Sequence, residues 1–268
     1  MLVNLGEEAC AYAGGTELLL AMKQGGLRYG HLVDLKTIEG LGGVHMRNGD
    51  VWIGALATHL AIERSPLVAA QVPILVQLEH HVANVRVRAT GTLGGNLCFA
   101  EPRSDPATLL QCLDARFVLN GPSGTRQLAA ADFLQGPYQT ALQPGELLEA
   151  IVLHPLRANQ RATYQKFQVH EYPLLGLALV LDMPDSHTIT EARVAVGSVS
   201  PTPRRGPAAE ALLVGNSNEV SQQLDAAGDA LADAANLIDD NEGSAEYKRQ
   251  LIRVLLRLAF EEAVDARR

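Results

Sequence analysis

Cysteine and aromatic residues are scarce in this 268-residue sequence, and it contains no long apolar run. The three cysteines, Cys10, Cys98 and Cys112, include no C-x-x-C pair, so the chain cannot supply the thiolates of an iron–sulfur cluster or a structural zinc site. We interpret them as small, buried residues in a reducing compartment. No segment approaches the roughly 20 apolar residues of a membrane-spanning helix, and no signal-peptide pattern is present. These absences predict a cytoplasmic protein without a membrane span.

The sequence also lacks a basic patch. It carries 22 Lys and Arg against 30 Asp and Glu, which gives a formal net charge of -8. A nucleic-acid partner is therefore set aside, because binding to phosphate backbones needs clustered positive charge.

Sequence fingerprints of metal sites and of catalytic residues are missing as well. There is no H-E-x-x-H motif, no G-x-S-x-G motif, and the His80-His81 and His170-Glu171 pairs lack ligand spacing. A G-x-G-x-x-G segment after the first predicted strand and a Gly-Lys dipeptide are absent too, which disfavours Rossmann and P-loop sites. We assign no metal site and no catalytic residue, so the chemistry must come from a bound cofactor.

Two glycine-rich segments, residues 13–17 and 91–96, are the most informative features that are present. Glycine lets the backbone turn through positive φ and lets another group approach the main chain, and a threonine hydroxyl adds a donor. The first segment opens into a predicted helix whose N-terminal N–H groups could face an anion. Glu17 would repel a phosphate, so its side chain should turn away, cap the helix or accept from a hydroxyl. Together the segments predict a site for a dinucleotide-like cofactor.

Turn signals and apolar patterns predict mixed α and β elements up to about residue 155. The predicted strands are 9–13, 31–35, 44–46, 51–54, 116–119 and 126–128, and the predicted helices are 17–24, 60–64, 73–84 and 107–113.

A polar connector at residues 154–161 predicts a domain boundary. Three strands beyond it should form an antiparallel sheet, and three helices should cover that sheet as a two-layer α+β module. These elements are the strands 162–169, 174–181 and 189–199, the helices 208–213 and 220–237, and a last helix capped by Ser244.

In this order, the motifs resemble the flavin-binding medium subunit of molybdenum hydroxylases, a family that includes carbon monoxide dehydrogenases and bacterial xanthine dehydrogenases. The resemblance covers nearly the whole chain and rests on YAGGTELL at 12–19, IGA at 53–55, TH at 58–59, RATGTLGGN at 88–96, GELL at 145–148 and YQK at 164–166. It implies an α+β fold: an FAD-binding domain of the vanillyl-alcohol-oxidase (PCMH) type with two α+β subdomains at 1–157, followed by a smaller two-layer α+β C-terminal domain at 158–268.

The resemblance also implies a set of residues that bind FAD without a covalent bond. In such proteins the two glycine segments hold the FAD diphosphate from two sides, an acid reaches the adenosine end, a basic residue lies near the flavin, and apolar residues contact the rings. By position, the diphosphate residues are Ala11, Tyr12, Ala13, Gly14, Gly15, Thr16, Glu17, Leu18, Thr92, Gly94, Gly95 and Asn96; the acid is Asp105, the base is Lys166, and the apolar contacts are Leu148 and Val82.

The implied role is an electron relay in an oxidoreductase complex. A large molybdenum subunit oxidises the substrate, a small subunit carries two 2Fe-2S clusters, and FAD on this chain collects electrons for NAD, a quinone or oxygen. The complex is expected to be a dimer of heterotrimers. Family members usually carry a strand and a helix before the first glycine segment, so we expect this start to be truncated or the missing piece to be dispensable.

Two other functions stay open from the sequence. One is a stand-alone PCMH-type flavin oxidoreductase, similar to the UDP-N-acetylenolpyruvylglucosamine reductases, although no motif for a substrate pocket or a catalytic acid is found. The other is a non-catalytic scaffold subunit that has lost FAD. Neither the substrate of the complex nor its acceptor can be read from this chain.

Overall fold

A computed structural model describes residues 1–169 and 172–265 of the chain. The His170-Glu171 pair of the sequence lies outside the described residues. The chain forms two compact units: Met1–Glu101 with Ala115–Pro155, and Pro102–Asp114 with Leu156–Arg268. The second unit therefore includes a segment that precedes the predicted boundary, and the division at 157/158 stays a prediction.

Short helices and strands are interspersed along the first unit, and longer ones form the second. The helices are α1 (Leu2–Leu5), α2 (Leu18–Lys23), α3 (His59–Glu63), α4 (Pro66–Gln71), α5 (Pro73–His80), α6 (Val85–Thr90), α7 (Leu93–Phe99), α8 (Asp105–Cys112), α9 (Ala130–Phe133), α10 (Pro207–Leu212), α11 (Ser217–Ala235) and α12 (Ala245–Asp265), with a 3-10 turn at Gly6–Glu8. The strands are β1 (Ala9–Tyr12), β2 (His31–Asp34), β3 (Val44–Arg47), β4 (Asp50–Gly54), β5 (Arg116–Gly121), β6 (Gly124–Ala129), β7 (Leu134–Gly136), β8 (Gln139–Thr140), β9 (Leu147–Leu153), β10 (Gln160–Gln168), β11 (Pro173–Asp182), β12 (Thr188–Ile189), β13 (Glu191–Gly197), β14 (Arg204–Arg205) and β15 (Gly215–Asn216).

The first unit begins with a small βαβ arrangement. Strands β1 and β2 pair in parallel, with Ala9 opposite His31 and Tyr12 opposite Asp34, and helix α2 connects them. This order matches the predicted strand, helix and strand. Because the carboxyl ends of parallel strands lie at one edge, the first glycine segment and the residues after β2 are neighbours.

A five-stranded antiparallel sheet, ordered β3-β4-β9-β5-β6, is the largest sheet of the first unit, which also contains the short β7–β8 pair. The predicted strands 44–46 and 51–54 form one hairpin in it, and the predicted strands 116–119 and 126–128 form another, while its central strand β9 was not predicted. The side chains of Ile53, Leu75, Leu93, Phe117 and Ile151 are at most 1% exposed and belong to the core of this unit.

The helical part of the first unit corrects two predictions. The helix expected over 73–84 ends at His80, because Ala83 adopts a left-handed φ of 42° and Asn84 caps the next helix, α6. The second glycine segment, whose composition is typical of a turn, instead forms the N-cap and first turn of helix α7, with Thr92 as the capping residue.

The second unit is built on an antiparallel sheet ordered β10-β11-β13-β14, as predicted for its first strands. The strand expected over 189–199 divides into β12 and β13. Every residue of β11 is buried, so both faces of this sheet are covered. Alternate residues such as Leu177 and Leu179 face a core shared with α10, α11 and α12, and α8 contacts β11 and β13 as well. Among the described residues, no helix is both long and apolar enough to cross a bilayer.

Helices α11 and α12 pack side by side and are joined by a ladder of ion pairs. Three of the pairs are Asp225–Arg257 at 2.9 Å, Asp229–Arg253 at 2.6 Å and Asp233–Arg249 at 2.6 Å. The acids recur every four residues along α11 and the arginines every four residues along α12, so each pair lies one turn from the next. The order of the pairs shows that the two helices run antiparallel.

Candidate functional site

The first glycine segment leaves strand β1 and enters helix α2. Gly15 has a φ of +73°, and a side chain at this position would collide with the ring of Tyr12. Within the part of the chain that the structure describes, the backbone N–H groups of Gly14, Gly15 and Thr16 donate to no acceptor. Three neighbouring N–H groups without protein partners form a suitable site for an anion.

The two glycine segments are in direct contact. A β-carbon at Gly14 would collide with the carbonyl oxygen of Thr90, the last residue of α6. A β-carbon at Gly91 would lie 3.2 Å from the hydroxyl oxygen of Thr16. The glycines at 14 and 91 therefore allow the segments to approach each other closely, in addition to any approach by a ligand.

The N–H groups of the second segment are already used by the protein. Leu93 donates to Ala57 O at 3.0 Å and Gly94 donates to Ala55 O at 2.9 Å. Gly95 donates to the Thr92 hydroxyl at 3.0 Å, which is the N-cap interaction of α7. The first turn of α7 thus offers few backbone donors to a ligand, and its glycines permit close packing.

Helix α3 and the residue before it are hydrogen-bonded to the second segment. Thr58 forms an antiparallel bridge with Thr92, and the backbone N–H of His59 donates to Gly91 O at 3.1 Å. The imidazole Nδ1 of His59 is hydrogen-bonded to Glu79 Oε2 at 2.6 Å, and both residues are buried. The other oxygen of Glu79, Oε1, is buried without a described hydrogen-bond partner. The buried His59–Glu79 pair therefore holds in place the residue whose backbone contacts the second glycine segment.

Leu148 and Val82, the predicted apolar contacts, occupy different environments. Leu148 lies on β9 and is 5% exposed, and its backbone is hydrogen-bonded to the thiol of Cys98 on α7. Val82 is half-buried in the turn between α5 and α6, and its carbonyl accepts from Arg88 at 3.1 Å. Leu148 is thus next to the helix that carries the second segment. Val82 precedes helix α6, and Thr90 is the last residue of that helix.

The predicted site residues of the second unit, Asp105 and Lys166, meet in a polar cluster. Lys166 Nζ donates to Asp105 Oδ2 at 2.7 Å, and the hydroxyl of Tyr164 donates to Asp105 Oδ1 at 2.6 Å. Asp105 is the first residue of α8 and is 7% exposed. A carboxylate near a helix N-terminus is favoured by the helix dipole.

The thiols of Cys98 and Cys112 are poor nucleophiles and poor metal ligands. Burial raises the pKa of Cys98 to about 12, partly opposed by its hydrogen bond with the Leu148 backbone. Burial likewise raises the pKa of Cys112 to about 12. Across residues 1–169 and 172–265, no group of His, Cys, Asp and Glu side chains could hold a metal ion.

The residues present fit a flavin dinucleotide. A diphosphate needs hydrogen-bond donors, and the N–H groups of Gly14, Gly15 and Thr16, which have no acceptor among the described residues, meet that need. Taken by itself, the Asp105–Lys166 pair of the second unit offers an acceptor and a cation to a polar ligand.

Tyr164 and the 55–59 segment are not among the predicted site residues. Tyr164 and Lys166 are two residues apart on one strand, so they lie on the same face, which is the signal that could have identified Tyr164. The 55–59 segment was noted as a motif, but its pairing with the second glycine segment depends on tertiary contacts.

Comparisons with known proteins match both parts of the chain. Residues 1–155 match the FAD binding domain in molybdopterin dehydrogenase, and residues 163–263 match the CO dehydrogenase flavoprotein C-terminal domain. The carbon monoxide dehydrogenase medium chain of Afipia carboxidovorans is 37% identical over 98% of this chain and 91% of its own length. The nicotine 6-hydroxylase medium subunit of Paenarthrobacter nicotinovorans is 32% identical over 98% of this chain and 92% of its own.

Solved structures of molybdenum-containing and related oxidoreductases also contain chains similar to this one. A crystal structure of the cyanide-inactivated Cu,Mo-CO dehydrogenase contains a chain that superposes with a TM-score of 0.93 at 35% identity, covering 98% of this chain and 92% of that one. A chain of quinoline 2-oxidoreductase from Pseudomonas putida 86 superposes with a TM-score of 0.91 at 27% identity, with the same coverage.

The predictions of an FAD-binding domain followed by a C-terminal α+β domain, of FAD as the cofactor and of an oxidoreductase subunit are confirmed. The chain belongs to the family of FAD-binding medium subunits of molybdenum hydroxylases, which includes the carbon monoxide dehydrogenase medium chains.

Proposed function

We propose that this chain holds FAD without a covalent bond and passes electrons from iron–sulfur clusters on a small partner subunit to an external acceptor. The observation that carries the proposal is the contact of the two glycine segments, where three N–H groups of the first segment have no acceptor among residues 1–169 and 172–265. Bound FAD would supply the exchange between one-electron and two-electron steps, and the chain would bind and orient it.

The two segments have different tasks in this proposal. The N–H groups of Gly14, Gly15 and Thr16 hold the diphosphate, and the adjoining residues Ala11, Tyr12, Ala13, Glu17 and Leu18 shape that loop. The first segment packs against the second, which supplies Thr92, Gly94, Gly95 and Asn96. We give the second segment this packing role because its helix is already hydrogen-bonded to residues 55–57. The anion thus lies mainly on the first segment.

The remaining predicted residues serve the other parts of the cofactor. We assign Asp105 to a cofactor hydroxyl and Lys166 to the neighbourhood of the flavin ring, whose reduced form is stabilised by nearby positive charge. Leu148 and Val82 supply apolar contacts. The functional division of the chain then follows the predicted boundary, with residues 1–157 as the FAD domain and residues 158–268 as the C-terminal domain.

The proposed assembly contains three kinds of subunit. Relatives of this chain are named as medium chains or subunits, such as the nicotine 6-hydroxylase medium subunit. We propose a large subunit with the molybdenum cofactor and a small subunit with 2Fe-2S clusters, arranged as a dimer of heterotrimers in the cytoplasm. Substrate choice then belongs to the large subunit.

The visible spectrum of the purified chain tests the proposal, with any released cofactor identified by mass spectrometry. A flavin spectrum and released FAD at one equivalent per chain are expected. A folded, colourless protein that cannot be reconstituted with FAD would instead favour a scaffold subunit. Reduction of the bound flavin by substrate only in the presence of both partner subunits would support the relay, and reduction by substrate with the chain alone would favour a stand-alone flavoenzyme.

A further inference from the structure

Tyr164, which is not among the predicted site residues, is hydrogen-bonded to the carboxylate of Asp105. On strand β10, Tyr164 and Lys166 point to the same side, and each donates to a different oxygen of the Asp105 carboxylate, at 2.6 Å and 2.7 Å. Two donors on opposite oxygens fix both the position and the rotation of a carboxylate. Each oxygen still has a lone pair for another donor.

The sheet beneath this cluster makes room for it. Lys166, Gly176 and Gly197 are register partners across β10, β11 and β13, so two glycines lie in one row. A β-carbon at Gly176 would collide with the Tyr164 hydroxyl and lie 3.3 Å from Asp105 Oδ1. A β-carbon at Gly197 would collide with the Thr108 hydroxyl on α8. The glycine row therefore allows Tyr164 and helix α8 to approach the same point.

Protonation of Tyr164 fits the role of a donor. Burial, and then the Asp105 charge, raise the pKa of the Tyr164 hydroxyl well above its ordinary value. The hydroxyl thus keeps its proton at physiological pH and donates to the carboxylate. A carboxylate held in this way accepts hydrogen bonds from sugar hydroxyls and repels phosphates, so it fits a hydroxyl-bearing part of a flavin cofactor.

We propose that Tyr164 is a positioning residue, which orients Asp105 so that its carboxylate accepts a hydrogen bond from a sugar hydroxyl of the cofactor. This inference rests on the proposed function. The hydroxyl can belong to the ribityl chain, which FMN and FAD share, or to the adenosine ribose, which only FAD carries.

The test is a titration of the flavin-free, full-length chain with FAD and with FMN. Tyr164→Phe removes the hydroxyl and keeps the ring, and it should weaken FAD binding by about tenfold, the effect of a hydrogen bond to a charged group. Tyr138→Phe is the matched control, because the Tyr138 hydroxyl also donates to a carboxylate, Glu101 Oε2 at 2.7 Å. The control should bind FAD with the wild-type Kd.

A double-mutant cycle separates positioning from a general effect on folding. Tyr164→Phe should cost no further FAD affinity in an Asp105→Asn background, because it acts through that carboxylate. If the losses of FAD affinity caused by the two substitutions were fully additive, or if Tyr164→Phe left the Kd for FAD unchanged, the inference would be overturned. The proposed function would still stand in that case, provided that the wild type binds FAD. Wild-type protein that binds no FAD would overturn both.

The comparison of the two flavins identifies the hydroxyl. Weaker binding of FAD alone indicates the adenosine ribose, and weaker binding of both flavins indicates the ribityl chain; either result supports the inference. If Tyr164→Phe is too unstable to purify, Gly176→Ala offers a second route, since its β-carbon displaces the same hydroxyl. It should reproduce the loss of FAD affinity, and wild-type affinity in this variant would overturn the inference.

Discussion

The α-carbon of Gly14 lies so close to the carbonyl oxygen of Thr90 that a β-carbon at residue 14 could not be accommodated. Through this contact, a loop near the start of the chain packs against the end of α6, immediately before the second glycine segment. The collision involves backbone on both sides, so rotation of a side chain cannot relieve it.

Replacing Gly14 with alanine is therefore expected to separate the two segments. Gly14→Ala should destabilise the protein by about 1–3 kcal/mol, the usual cost of overpacking, and should lower flavin content. Thermal denaturation and the ratio of flavin to protein absorbance measure both effects. Gly42→Ala is the control, because nothing lies within 4 Å of a β-carbon there. Normal flavin content in Gly14→Ala would contradict the placement of the first loop.

The buried His59–Glu79 pair should contribute strongly to stability. Glu79→Ala leaves the imidazole without its partner in the core. The free energy of unfolding, measured by chemical denaturation, should fall by about 3–5 kcal/mol. His154→Ala removes a histidine from another carboxylate pair, with Asp50, but this histidine side chain is 67% exposed. That control should cost less than about 1 kcal/mol. Equal losses would show that burial of the first pair is unimportant.

Acid should weaken the fold partly through Glu146. Hydrogen bonds from Arg126 and from the Gln143 backbone lower the pKa of Glu146 to about 2, below its ordinary 4.5. A lowered pKa in the folded state gives stability that is complete above pH 4.5 and is lost as the pH falls towards 2. Denaturation midpoints measured across this range should fall less steeply for Glu146→Gln than for the wild type. A slope identical to that of the wild type would show that Glu146 does not couple to folding.

Two of the three cysteines should resist alkylation in the native protein. The pKa values of Cys98 and Cys112 are both raised to about 12, so almost no thiolate exists near neutral pH. Mass spectrometry after treatment with iodoacetamide should find these two residues unmodified, and all three cysteines modified after unfolding. Rapid native labelling of Cys112 would mean that α8 opens from its sheet.

Much of the fold could be predicted because its signals are local. The strand, helix and strand at the start of the chain follow from glycine-bounded apolar runs, whereas the parallel pairing of β1 with β2 was not predicted. Ser244 caps the last helix as predicted, accepting from Tyr247, and Thr58 caps α3, accepting from Ala61. Strand β9 was missed because its buried apolar run has no clear period. Helix α6 was missed because VRVRAT has weak helix propensity and depends on the Asn84 cap and on packing.

The candidate site was predictable in composition and less so in geometry. The glycine segments stand out in the sequence, but the hydrogen bonds that use the N–H groups of Leu93 and Gly94 come from residues 55–57. No local pattern reveals such a partner. The cluster at Asp105 likewise joins α8 to a strand far along the chain. Asp105 and Lys166 were each predicted as site residues, but their contact with each other and with Tyr164 depends on this tertiary packing.

The first turn of α7 draws its hydrogen bonds from the protein itself. The N–H groups of Leu93 and Gly94 donate to the carbonyls of Ala57 and Ala55, and that of Gly95 donates to the Thr92 hydroxyl. The arrival or departure of a cofactor therefore breaks none of these three bonds.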